Sequence, residues 1–337
     1  MLFFLFSCSE PFPVNPAAIS IHAVAETTPV ASADDAADDP AIWIHPQDPA
    51  RSLILGTDKH AGLSVYDLQG NLVQFLERGR LNNVDVRSDL QSGNDRVSLA
   101  VATNRSIHAL DIFGISANGD VSLQLSVALT LEDPYGVCMQ RTSDGTAVAF
   151  VNSTNGDYQQ WILNPSGRLD PQLAGTFSLQ TQPEGCAVDD LTALLYMGEE
   201  DLGVWQMPAD ASAASQRVLV DTVGQGHLAA DVEGMDVYRT TDSAYLLVSS
   251  QGDHSYALYD LNNSNRFSGS VRITDNPDNG VDGTEETDGL AVTPVAVDDR
   301  LPEGLVIIQD GYNRMPDARQ NFKLVSWQDL RQALGIQ

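Results

Sequence analysis

The chain of 337 residues carries 46 acidic and 18 basic side chains, a formal net charge of −28, and 42% of its residues are hydrophobic. The apolar fraction excludes wholesale disorder, and a field of this sign repels nucleic acid and anionic membrane surfaces, so neither is expected as a partner. Gly, Asn and Asp are scattered along the whole length, the punctuation of many tight turns and of an all-β chain.

The N-terminal MLFFLFSC is apolar, short and without a basic flank. It reads as the remnant of a secretory signal, and Leu5-Phe6-Ser7-Cys8 resembles a lipoprotein cleavage box in which Cys8 would be acylated. Residues 1–33 are therefore assigned to a truncated signal and a Pro/Ala-rich linker, and residues 34–337 to a single domain. The protein is expected to be secreted, periplasmic or at the cell surface, with no membrane-spanning segment. Three cysteines fit neither a disulfide scaffold nor a zinc motif, so Cys138 and Cys186 are expected as small buried hydrophobes.

From residue 34 the stretch ADDAADDPAIWIHP sets Asp34, Asp35, Asp38 and Asp39 directly before an apolar strand. An acidic or polar residue leading into a short strand then recurs as Asn82-Asn-Val-Asp-Val, Tyr135-Gly-Val-Cys-Met, Glu184-Gly-Cys-Ala-Val, Glu233-Gly-Met-Asp-Val and Asp288-Gly-Leu-Ala-Val. Counted from Asp39, these positions lie 43, 53, 49, 49 and 55 residues apart. Each is followed by a strand–turn–strand run such as LILGTDKHAGLSVYDL or LLYMGEEDLGVWQM. Periods of this length, each carrying several strands, predict a six-bladed β-propeller of mostly four-stranded antiparallel blades around a central channel; the alternative is a two-domain all-β protein. One short helix is predicted at WQDLRQALG, residues 327–335.

If each leading residue starts the innermost strand, then Asp39, Asn82, Tyr135, Glu184, Glu233 and Asp288 ring one mouth of the channel. The hairpin turns bring Lys59, Arg105, Glu199, Glu200, Asp201 and Asp310 near the same rim. Two unit charges 4 Å apart repel by about 4 kcal/mol at an effective dielectric of about 20, against a typical domain stability of roughly 5–15 kcal/mol. Either the acids are protonated or cations lie between them. An all-oxygen donor set selects Ca²⁺ or Mg²⁺ over zinc or copper, and crowded carboxylates on loops favour Ca²⁺. The acidic loop DNPDNGVDGTEETDG, residues 275–289, lacks the EF-hand spacing and reads as a structural calcium loop. Lys59 and Arg105, scarce cations beside this ring, suggest an anionic ligand such as phosphate.

The strings DDPAIWIHPQDP, GTDKHAGLSVYDLQG, LNNVDVR, YGVCM, EGCAVDD, LYMGEEDLGVW, DVEGMDVY, YLLVSSQGDHSYALYD, TDGLAV, QDGYN and QNFKLVSW resemble, in order and from about residue 34 to 330, the β-propeller phytases. The resemblance implies calcium-dependent hydrolysis of phytate or other inositol phosphates by a metal-bound water, with several calcium ions, catalytic and structural, in a monomer. By position it gives Asp38, Glu184, Glu200, Asp231 and Glu233 to the catalytic calciums and Lys59, Arg105 and Tyr135 to phosphate oxygens. Asp39, Asp282 and Asp310 would hold stabilising calciums, and Asp288 of the ring is counted among the metal ligands. The sequence departs from the family at His60 and Thr154, where lysines are expected. A calcium-dependent propeller lactonase is the alternative function.

Overall fold

Short runs of β-formers closed by Gly- and Asn-containing turns fold here as successive antiparallel hairpins. In the computed structural model, which describes residues 14–163 and 169–337, they assemble four four-stranded sheets and one eight-stranded sheet. The first sheet runs Ala37–Trp43, Leu53–Asp58, Gly62–Asp67, Leu72–Glu77, and the second Leu81–Ser92, Asp95–Asn104, Ala109–Ile115, Val121–Ala128. The third is Pro134–Arg141, Ala147–Ser153, Asp157–Ile162, Gln172–Ser178, and the fourth Pro183–Asp189, Leu194–Glu199, Gly203–Pro208, Val218–Thr222.

The eight-stranded sheet joins two antiparallel runs. Val232–Arg239, Ala244–Ser250, Ser255–Asp260 and Arg266–Thr274 form one, and Leu290–Thr293, Leu305–Asp310 and Asn321–Ser326 with Ile19–Glu26 form the other. Ile19–Glu26 pairs antiparallel with Asn321–Ser326 (Ala23 opposite Val325) and parallel with Arg266–Thr274 (Ile19 opposite Val271). Six separate blades were expected; four are separate, and the rest is continuous because this strand is hydrogen-bonded on both edges. The same strand corrects the linker reading within residues 1–33: the alternation in Ile19–Glu26 buries Ile21 and Ala23 in the core. Cys8 lies outside the described residues.

The first strand of each repeat packs against the first strand of the next, and Leu290–Thr293 packs back against Ala37–Trp43, so these six strands close a ring around the channel. Six apolar clusters fill the spaces between successive hairpin stacks, for example Trp43, Leu55, Val84 and Phe113 between the first and second sheets. The arrangement is all-β and propeller-like. The helix Trp327–Leu334 forms where expected, capped by Ser326 and ended by Gly335 at φ 63°, and Trp327 stacks on Tyr238 with ring centroids 3.7 Å apart.

Cys138 and Cys186 form a disulfide, Cα–Cα 5.6 Å, between the first strands of the third and fourth sheets. This corrects their reading as free hydrophobes. The partners sit on strands that share no hydrogen bonds, so neither their spacing nor the odd cysteine count pointed to the pair. Among the described residues no helix is long and apolar enough to cross a membrane.

Candidate active site

Asp38, Asn82, Tyr135, Glu184 and Glu233 each hold the second position of the first strand of their repeat. In all five strands the pairing register shifts immediately afterwards. A bulge at that point re-aims the side chain before it, and it does so five times at one rim. The glycines that follow Tyr135 and Glu184 let the strands converge: a Cβ on Gly136 would lie 1.9 Å from the Glu184 carbonyl oxygen, and one on Gly185 2.3 Å from that of Glu233. In the first repeat the ring residue is thus Asp38 rather than Asp39. One position along a strand reverses the side, and Asp39 accepts the Val84 N–H at 3.0 Å, strapping the first sheet to the second.

The convergence places one carboxylate oxygen each of Glu184, Glu200 and Glu233 within 4.8 Å of one another. Glu184 and Glu233 are buried. Burial and then mutual repulsion hold Glu233 well above the usual carboxylate range, and burial also raises Glu184. Burial, then the charges of Glu184, Asp231 and Asp201, push Glu200 up to about 8 against a hydrogen bond from Gln182 Nε2 at 2.7 Å. Glu233 Oε2 and Asp38 Oδ2 are buried without a hydrogen-bond donor.

Lys59 is the ammonium set among these acids, 2.7 Å from Asp288, 2.9 Å from Asp35 and 3.3 Å from Asp38. Burial opposes its charge, but Asp38 and Asp288 overcome it and raise its pKa. Even so, burial keeps Asp38 and Asp288 up at about 7. One lysine facing Asp38, Asp288, Glu184, Glu200 and Glu233 leaves the rim short of positive charge.

Arg105 stands at the edge of the cluster. Its guanidinium forks onto Asp133 at 3.1 and 2.6 Å, donates to Asn82 Oδ1 at 3.1 Å and lies 5.3 Å from the centre of the Tyr135 ring. Three of its five N–H groups are engaged, leaving two for a ligand. Asn82 in turn donates to Glu184 Oε1 at 3.1 Å. Burial and the surrounding glutamates keep the Tyr135 hydroxyl protonated far above its ordinary range, as a donor.

The other expected residues are distributed differently. Asp231 is half-buried and acts on Glu200 by its charge, outside the three-glutamate group. Glu199 turns away to accept from Trp205 Nε1 at 2.7 Å. Asp282 and Asp310 meet a fully buried ammonium, Lys323 Nζ, at 2.5 and 3.2 Å, with Glu26 at 2.5 Å. The 275–289 loop is therefore divided: Asp282 serves this second cluster, and Asp288 the rim. His60 lies against the Asp35 carbonyl, and the Thr154 amide donates to the Asp133 carbonyl. Asp133, Gln182 and Gln251, the last donating to Asp288 at 2.8 Å, were not singled out from the sequence. Gln182 stands two residues before Glu184, and Gln251 in the turn equivalent to that of Lys59; equivalence between repeats was the signal available.

A cavity of about 780 Å³ opens at the opposite mouth. There Arg87 pairs with Asp85 and Asp190, and Arg239 with Asp189, so three of its four aspartates are matched within the protein. The glutamate rim has a larger charge deficit than this mouth.

The sequence model of the family described as Phytase matches residues 12–337. The 3-phytase of Bacillus subtilis (strain 168) is 36% identical over 328 residues, covering 94% of this chain and 85% of its own. Among solved structures, Sqt1 of Chaetomium thermophilum, bound there to the N-terminus of a ribosomal protein, superposes with a TM-score of 0.50 at 12% identity, covering 88% of this chain and 89% of its own. A protein of unknown function from Desulfotomaculum acetoxidans DSM 771 gives a TM-score of 0.48 at 16% identity over 68% of this chain and 70% of its own.

Proposed function

The chain belongs to the phytase family, and from that membership we propose that its glutamate rim binds calcium and hydrolyses phytate there. It is a phosphoric monoester hydrolase of the 3-phytase type. The observation that carries the calcium reading is the convergence of Glu184, Glu200 and Glu233 within 4.8 Å, beside buried oxygens of Asp38 and Glu233 that have no donor. Such an all-oxygen, carboxylate-rich set suits a hard cation. Asp38, Glu184, Glu200 and Glu233 would hold it, with Asp231 and Asp288 adding charge. When bound, calcium supplies positive charge against phosphoryl oxygens and makes water at the site more acidic.

The chain's own residues do the rest. Arg105, held in place by Asp133, presents its two free N–H groups to phosphate oxygens, and the Tyr135 hydroxyl offers a further donor. Lys59 lowers the field that would otherwise repel a polyanion. Gln182, Gln251 and Asn82 fix the carboxylates in position, so that little reorganisation is needed during reaction. We assign Asp39 to the strap between sheets, and Asp282 and Asp310 to a stabilising cation site in which Lys323 already supplies one charge. The buried Asn313 Oδ1, one residue before the Arg314 amide that donates to Asp282, has no donor and supports room for a second. The closed ring of six first strands supports counting the eight-stranded sheet as the fifth and sixth blades of a six-bladed propeller. The disulfide supports an exported protein.

Phosphate release from phytate, measured with calcium and then with excess chelator, tests the reading. Release that stops on chelation is expected; release indifferent to chelator would remove calcium from the mechanism. Glu184→Gln keeps the acceptor for Asn82 while deleting a charge, and should lower kcat/KM by about a hundredfold or more. Wild-type turnover in that variant would take Glu184 out of the catalytic set.

A further inference from the structure

Neighbouring first strands around the channel share no ladder hydrogen bonds, and side chains strap them together instead. Asp85 and Asp236 both hold the fifth position of their strands. Each accepts an amide from the first strand of the next repeat, Asp85 from Met139 at 2.7 Å and Asp236 from Val292 at 2.8 Å. In the third repeat the fifth position is Cys138, and its link to the next first strand is the disulfide to Cys186. A covalent strap thus stands where two other repeats use a hydrogen bond.

This strap lies at the seam between Tyr135 and Glu184, three residues past the one and two past the other. Both cysteines are buried, among Val148, Phe150, Val188 and Met197. At the rim end Asn152 bridges the same two strands, accepting the Gly136 amide at 2.7 Å and donating to the Glu184 carbonyl at 2.8 Å. At the far end the Arg141 amide donates to Asp190 at 3.0 Å. Hydrogen bonds lengthen or exchange under load, whereas a disulfide confines its Cα atoms, here 5.6 Å apart, to a narrow range. The load comes from the rim itself: Glu184, Glu200 and Glu233 bring carboxylate oxygens within 4.8 Å of one another, and their repulsion pushes apart the strands that carry them.

We propose that the Cys138–Cys186 disulfide is a positioning element of the active site: it holds the Glu184 strand beside the Tyr135 strand against the repulsion of the rim, so that the carboxylates are preset for calcium. The inference rests on the phytase reading above and adds to it a pair of residues that touch neither metal nor substrate. Without the cross-link the rim residues are all present but less sharply placed. A ligand set that relaxes apart binds its cation more weakly and supports slower turnover.

The test compares full-length wild type with two variants lacking the cross-link, Cys138→Ser/Cys186→Ser and Cys138→Ala/Cys186→Val; the second keeps the seam apolar should serine prevent folding. Leu258→Ala, a cavity in the core against the eight-stranded sheet, is the control for a loss of stability of similar size. Calcium binding is followed by calorimetry well below each melting temperature, and the binding step that Glu184→Gln lacks marks the rim. Phosphate release from phytate is measured at saturating calcium. Both variants should bind calcium at the rim about five- to tenfold more weakly and turn over about tenfold more slowly, whereas Leu258→Ala should match the wild type in both. Folded wild type treated with dithiothreitol should show the same losses and regain function with glutathione disulfide, which takes up the two electrons and two protons of the thiols. Wild-type affinity and turnover in the folded variants, or an equal loss in Leu258→Ala, would overturn the proposal and leave the disulfide as a staple of stability alone. Wild-type protein that releases no phosphate from phytate would sink the phytase reading as well, whereas release with indifferent variants sinks only this inference.

Discussion

Asp236 lies at the mouth away from the glutamates, its oxygens accepting the Val237 and Val292 amides at 2.7 and 2.8 Å. Burial and then the charge of Asp85 push its pKa up to about 7 against the pull of Arg87. An unfolded aspartate titrates near about 3.9. The folded chain therefore holds the extra proton across the interval between, and this group's contribution to stability falls as pH rises from about 4 to about 7. Asp236→Asn removes that titration. Its unfolding midpoint in urea should decline less between about pH 5 and pH 7 than the wild type's, from a lower start because one amide loses its carboxylate. Parallel declines would place the titration elsewhere. Single residues were legible in the sequence where charge marked them, as with Glu184, Glu233 and Lys59. They were not legible where only direction mattered: Asp38 and Asp39 are the same residue type side by side, and strand alternation alone sends one to the rim and the other to Val84.

At the scale of the strand, the X-Gly leads were visible as a repeat, but their meaning was not. The bulge after each second position and the close approach at Gly136 and Gly185 exist only once neighbouring strands are in place, so no one segment encodes them. The disulfide belongs to the same level. It ties the strand carrying Tyr135 to the strand carrying Glu184 and closes a loop of 48 residues. By the chain-entropy argument such a closure is worth up to about 4 kcal/mol. Replacing both cysteines by serine should lower the free energy of unfolding in guanidinium by about 2–4 kcal/mol. A variant as stable as the wild type would mean that packing between the third and fourth sheets holds these strands unaided.

For the whole molecule, the roughly 50-residue period made the six-fold ring legible, because each repeat must bury its faces against the next. The closure was not legible. Ile19–Glu26 sits in a Pro- and Ala-rich context that reads as linker, and its partners, Val271 opposite Ile19 and Val325 opposite Ala23, lie far along the chain. Deleting residues 1–26 would leave one edge each of Asn321–Ser326 and Arg266–Thr274 unpaired and take Glu26 from Lys323, whose ammonium it meets at 2.5 Å. The truncated chain should lose its cooperative melt and associate on a sizing column, since a bare strand edge recruits other chains. A monomeric product with wild-type melting would make the strand dispensable.

That closing strand also imposes a timetable on biosynthesis. Ile19–Glu26 is made before every other strand described, yet one of its neighbours, Asn321–Ser326, is made after all of them. The eight-stranded sheet cannot be completed before Asn321–Ser326 is made, and until then the nascent chain carries both open edges. Ordering contacts of such long sequence separation is slow, and the unfinished edges are open to aggregation meanwhile. A chaperone that shields strand edges would act on this protein at Ile19–Glu26 and its partner strands rather than in the four separate sheets between them.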